Sequence, residues 1–153
     1  MHRSSARLAI TVFSLLAAAG PLFAAPADNV RSRIANFREL GASFKTVNDS
    51  LRAPEPQTFL IQIAARQIVN YSREMPGWFP AGSGPESGAK TKAKDEIWSQ
   101  TAKFKAAQVA FSKQALALQA AAQAGLAPAI RTETVKLGKT CKGCHDTFRA
   151  PGD

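Results

Sequence analysis

Apolar residues recur along this chain at helical intervals. Val30, Phe37, Phe44 and Leu51 are spaced by sevens, and Ile34 and Gly41 fill the neighbouring row. Ile61, Ile68 and Met75 repeat that spacing, supported by Leu60, Ala64 and Tyr71. A third run, Ile97, Phe104, Phe111 and Leu118, is again in sevens. A fourth, Ile130, Thr134, Leu137, Cys141, Cys144 and Phe148, advances by alternating fours and threes. Each pattern lays one apolar stripe along an amphipathic helix. The breakers fall between the runs: Pro54 and Pro56, then Pro76-Gly77, then a Gly- and Pro-rich stretch from Trp78 to Thr91, then Gly125 followed by Pro128. Helices of roughly twenty residues span about 30 Å. Short links between the first and second and between the third and fourth make those pairs antiparallel neighbours. The pattern predicts one all-α domain, an antiparallel four-helix bundle, with Trp78–Thr91 as a surface loop.

The fourth stripe carries the chemistry. Cys141-Lys142-Gly143-Cys144-His145 is a C-x-x-C-H run, and on a helix its two thiols lie one turn apart on the same face. Two thiols so placed can add to the two vinyl groups of one haem, and the adjacent His145 can reach the iron, which is the pattern of c-type haem attachment. A zinc site needs four ligands, and the chain has only two cysteines and two histidines, with His2 at the far end. A thioredoxin-like pair follows a strand, and no strand pattern precedes Cys141. A disulfide across a two-residue gap would be strained and leaves His145 unexplained. Because both cysteines lie on the core stripe, one covalently bound haem c is expected inside the bundle.

The first residues bear on compartment. His2, Arg3 and Arg7 precede an apolar run from Leu8 to Ala19, and small residues follow from Ala24 to Ala27. This reads as a cleaved secretory signal peptide over residues 1–27, cut near Ala24 or Ala27, with the haem domain at 28–153. Export to the periplasm fits the motif, since haem is normally attached to C-x-x-C-H after export. No later stretch is apolar for long enough to span a membrane. The chain has 20 basic and 11 acidic residues; loss of Arg3 and Arg7 leaves 18 against 11. Two haem propionates lower the balance to about +5. A basic surface outside the cytoplasm points to an acidic redox partner or an anionic surface, not to nucleic acid, and equally serves solubility.

Over nearly all of the chain after the leader, from about Asp28 to Arg149, the sequence resembles the cytochromes c′, the class II c-type cytochromes. That family is itself one of the standard up-down bundles. The resemblance rests on C-K-G-C-H-D-T-F-R at Cys141 to Arg149, on W-F-P-A-G-S-G-P-E from Trp78, on E-I-W-S at Glu96 to Ser99, and on Arg33-x-x-x-Phe37-Arg38-x-x-Gly41. It implies that Cys141 and Cys144 hold the haem by thioethers and that His145 is the axial iron ligand. It places Arg33, Phe37 and Arg149 around the haem, Arg33 near a propionate and Arg149 near the proximal face. Low-spin relatives carry a methionine where this chain has Phe37, and phenylalanine cannot ligate. No second histidine survives processing, and Met75 reads as core packing beside Pro76.

A five-coordinate high-spin iron with an apolar distal side is therefore expected, suited to NO and CO. The leading function is a periplasmic gas-binding haem protein with one-electron Fe(III)/Fe(II) redox; the alternative is an electron carrier in a respiratory or photosynthetic chain. No paired carboxylates or nucleophile–base set suggests an enzyme. The resemblance also implies a homodimer packed through the first two helices, with Phe44, Phe59 and Ile63 as apolar candidates.

Overall fold

The computed structural model describes residues 25–152, so the expected signal peptide lies almost wholly outside the described residues. Its elements are α1 (Pro26–Arg52), α2 (Thr58–Glu74), a 3-10 turn at Met75–Trp78, another at Pro85–Ser87, a one-turn α3 (Glu96–Ser99), α4 (Thr101–Ala124) and α5 (Ala127–Phe148). The four long helices pack as an antiparallel bundle, each neighbouring the next in the order α1, α2, α4, α5, with α5 returning to α1.

Local chemistry sets the boundaries. Pro26 and Pro128 each sit in the first turn of their helices, α1 and α5, where a missing N–H costs nothing. Ala53, preceding Pro54, is held extended at φ −57°, ψ 150°, which ends α1. Pro76 stops the α-helical bonding of α2, and the chain tightens into the 3-10 turn. Gly125 closes α4 at φ 75°, donating its N–H to Ala121 and Ala122; only glycine adopts that left-handed backbone without penalty.

The third predicted helix is in fact two. Gln100 leaves the helical region at φ −116°, ψ 46°, ending α3 and beginning α4. The apolar sevens continue across the break, since Ile97 and Phe104 are both buried. Periodicity alone cannot register a one-residue interruption that preserves the inward face. The reason lies in tertiary contacts: the Trp98 indole donates to the Pro80 carbonyl at 3.3 Å, tying α3 to the loop as well.

The main core joins Leu40, Val47 and Leu51 of α1 to Ile61 and Ile68 of α2, Phe111 and Leu118 of α4, and Ile130 and Leu137 of α5. Alanines 64, 65, 115 and 122 are buried where α2 and α4 approach. A smaller cluster of Ile97, Phe104 and Phe148 lies at the other end, with Phe79, Trp98 and Cys144 packed on it. The expected surface loop is only partly one: Trp78 and Ser83 are buried within it.

Candidate functional site

α1 and α5 run antiparallel in a register fixed near one end. There the Arg131 guanidinium donates to the Leu51 carbonyl, and a Cβ on Gly138 would lie 3.6 Å from the Phe44 ring. The same register, continued toward the C-terminus of α5, brings Gly41 level with Cys141 and Phe37 level with His145. Gly41 lies on the inward row of α1, between Phe37 and Phe44. Yet it is exposed, and a Cβ there would meet nothing within 4 Å. Phe37 and Phe44 are only half-buried, although Val30 and Leu51, at the two ends of the same row, are buried. An inward face that opens on empty space opposite a pair of cysteines is a cradle for a bulky apolar group.

Cys141 and Cys144 face this groove, half-buried and with free thiols. Cys141 packs on the main core and Cys144 on the smaller cluster. Burial pushes the Cys141 thiol above its usual pKa; burial, with Cys141 adding to it, pushes Cys144 up to about 11. Both thiols are therefore neutral near pH 7, unlike the thiolates that bind zinc. Among the described residues no three His, Cys, Asp or Glu side chains gather into a metal cage. His145 sits on the exposed shoulder of α5. Partial burial of its ring, then the Arg149 cation, hold its pKa below the ordinary value, with Asp146 opposing. A neutral imidazole keeps a lone pair for a metal. Two neutral thiols one turn apart, an adjacent neutral imidazole and an open apolar cradle fit a covalently attached haem with one axial histidine.

Arg149 caps the end of α5 and lines the same recess as His145, together with Lys94 and Asp146. It is held there by the C-terminal strap: Lys94 N–H donates to the Phe148 carbonyl at 3.1 Å, and Ala150 N–H to the Lys92 carbonyl at 2.8 Å. Phe37 turns its ring edge-on to Trp78, with centroids 4.9 Å apart, and lies 6.0 Å from Phe79. Met75 is buried in the main core, as its row implied.

Arg33 is 3% exposed, so its charge is not a solvated surface one. Its guanidinium donates to the Ser83 Oγ at 2.9 Å, the Ser83 carbonyl at 2.8 Å, the Thr91 Oγ1 at 3.1 Å and the Trp78 carbonyl at 3.3 Å. It also lies over the Phe79 ring, 4.8 Å from the centroid, and within 5.9 Å of Trp98. Desolvation pulls its pKa down, and the Glu86 charge opposes that shift. The arginine thus clamps the Trp78–Thr91 segment onto α1. Sequence reading missed Ser83 and Thr91 as its partners, because isolated Ser and Thr in a Gly/Pro-rich stretch carry no periodic signal.

Comparison with known proteins agrees with the geometry. The family model described as cytochrome c′ matches residues 28–149. Cytochrome c′ of Alcaligenes xylosoxydans xylosoxydans is 33% identical over 127 residues, covering 83% of this chain and 97% of the relative. The crystal structure of cytochrome c′ from Rubrivivax gelatinosus superposes with a TM-score of 0.76 at 28% identity, covering 83% of this chain and 98% of that one. The nitric oxide complex of a point mutant of cytochrome c prime from Alcaligenes xylosoxidans gives a TM-score of 0.75 at 28% identity, covering 84% and 99%.

Proposed function

This chain belongs to the cytochrome c′ family of c-type haem proteins, and from that premise we propose that it is a periplasmic gas-binding cytochrome that takes up NO and CO at an iron held by His145. The observation that carries this reading is Phe37. It stands on the inward row of α1 at the level of His145 and offers no donor atom, so the distal side of the iron is left without a protein ligand. Bound haem supplies an iron that takes a diatomic ligand and cycles between Fe(III) and Fe(II).

The residues around it have separable tasks. Cys141 and Cys144 tether the group through thioethers, and His145, kept neutral, presents its nitrogen from the α5 side. Trp78 and Phe79 pack their rings on Phe37, so bound water or anions find little hydrogen bonding beside it. Arg33 pins those two aromatics in place. It has no carboxylate within ion-pair distance among the described residues, which leaves its charge available to a propionate. Arg149 sits beside His145, where its cation disfavours further positive charge on the imidazole. The rings that pack on Phe37 among the described residues, Trp78 and Phe79, carry no acid–base group, which supports binding over catalysis.

A second reading, electron transfer, is favoured by the recess at His145. Lys94 and Arg149 line it, and Asp146, the one carboxylate lining it among the described residues, is already paired with Lys142 at 2.6 Å. Such a face suits an acidic redox protein. On the outer face of α2, Phe59 is 72% and Ile63 49% exposed, which supports a homodimer through the first two helices; Phe44 instead packs on its own core.

Optical spectra of the purified protein, oxidised and reduced, with and without NO and CO, test the proposal. A broad high-spin spectrum that changes on gas addition is expected. Sharp low-spin bands indifferent to CO would overturn gas binding and leave the electron carrier.

A further inference from the structure

His145 stands in the last turn of α5, which ends at Phe148. The final carbonyls of a helix have no partner within it, and such turns fray unless something else bonds them. The His145 carbonyl accepts from the Arg149 N–H at 3.1 Å. Two of the carbonyls beyond it are held from outside the helix by one residue. Lys94 donates its N–H to the Phe148 carbonyl at 3.1 Å and its ammonium to the Thr147 carbonyl at 3.2 Å. A cation there also meets the negative end of the helix dipole. Lys94 belongs to a non-helical segment before α3, which pairs antiparallel with the chain end through a bridge between Ala93 and Arg149.

The other end of this segment is anchored to α1. Thr91 Oγ1 accepts from Arg33 Nη2 at 3.1 Å and from the Ala93 N–H at 3.2 Å. One hydroxyl thus joins the buried arginine of α1 to the residue that pairs with Arg149. Three residues separate Thr91 from Lys94, a span of about 10 Å at full extension, so little slack can build up between the two anchors. We propose that Thr91–Lys94 is a brace that holds the last turn of α5 closed and so fixes the direction in which His145 presents its ring, with Thr91 the positioning residue that ties the brace to Arg33. The inference rests on His145 as the iron ligand. Arg33 and Phe37 lie one turn apart on α1, so the helix that carries the distal ring also steadies the proximal ligand. Coupling of this kind travels through contiguous bonded contacts, and here each link is a single named hydrogen bond.

Thr91→Val keeps the side-chain shape and removes the acceptor; Thr91→Ser restores it. Lys94→Met removes the ammonium from the opposite end of the brace. The ferrous holoprotein of each is read in two ways: amide exchange by mass spectrometry, and the iron–histidine stretching band by resonance Raman spectroscopy. In Thr91→Val and in Lys94→Met, exchange at the Lys94 and Ala150 N–H groups should quicken about tenfold, as loss of one hydrogen bond implies. The iron–histidine band should shift or broaden in both. Exchange at Leu118, buried in the α4 core, should stay unchanged, which separates opening of the brace from general destabilisation. Thr91→Ser should return both readouts to those of the unmodified protein. Exchange at Lys94 and Ala150 within about twofold of the unmodified protein in Thr91→Val would overturn the brace. Quickened exchange with an unmoved band would also overturn the proposal, since the segment would then be structural alone. Absence of an iron–histidine band from the unmodified protein would overturn His145 as the ligand, and this proposal with it, whatever the exchange rates.

Discussion

Arg33→Ala should destabilise this fold by releasing the Trp78–Thr91 segment from α1. The guanidinium makes four hydrogen bonds to the Trp78–Thr91 segment, two of them at 2.8 and 2.9 Å, and lies over Phe79. Hydrogen bonds from a charged donor contribute about 1.5–3 kcal/mol each, but a buried cation also pays a desolvation cost of several kcal/mol. Its removal also strands the Ser83 carbonyl in a buried position, at about 1–3 kcal/mol. The net expectation is a loss of about 3 kcal/mol, a sizeable share of the roughly 5–15 kcal/mol that holds a domain together. With a urea m-value of about 2 kcal/mol/M, the unfolding midpoint should drop by about 1.5 M. The assay is urea unfolding of holoprotein followed by far-ultraviolet circular dichroism, with amide exchange at Ser83 as the local readout. Arg33→Lys keeps the charge but loses the planar fork, and should recover less than half of the loss. A midpoint within about 0.3 M of the unmodified protein, with Ser83 exchange unchanged, would refute the clamp.

Three further outcomes are expected. Phe37→Met puts a sulfur donor on the distal side and should convert the iron to a six-coordinate low-spin form that no longer takes CO; an unchanged spectrum would mean Phe37 does not face the iron. Cys141→Ser with Cys144→Ser should abolish covalent haem, read as loss of haem from acid–acetone-treated protein, and retention would disprove the thioethers. Phe59→Glu with Ile63→Glu should weaken self-association by about a thousandfold, four apolar side chains per dimer being left in water. Sedimentation velocity reads that change, and a monomer in the unmodified protein would remove the dimer.

The bundle itself was legible because its signal is periodic: the first and fourth predicted runs each lie in one helix, the second does so up to Met75 in the 3-10 turn, the third spans α3 and α4, and buried residues such as Val47, Ile68, Leu118 and Leu137 follow the stripes. The C-x-x-C-H run was legible for a related reason, since its chemistry depends on spacing within one helix turn. The break at Gln100 was not, because the stripe survives it. Phe59 and Ile63 were ambiguous: apolar identity does not say whether a neighbour covers the side chain, and among the described residues both stay exposed.

What the sequence by itself determined is thus what local geometry controls: helix faces, their ends at Pro54, Pro76 and Gly125, and the pairing of Cys141, Cys144 and His145. Only the tertiary structure decided what lies opposite those residues. It set Gly41 before an open cradle and buried Arg33 under a loop 50 residues away. The physical reason is range. A helix fixes side chains three and four residues apart through its own hydrogen bonds. Contacts between distant segments depend on how stripes of unequal bulk interdigitate, and no spacing along one segment records the shape of its partner.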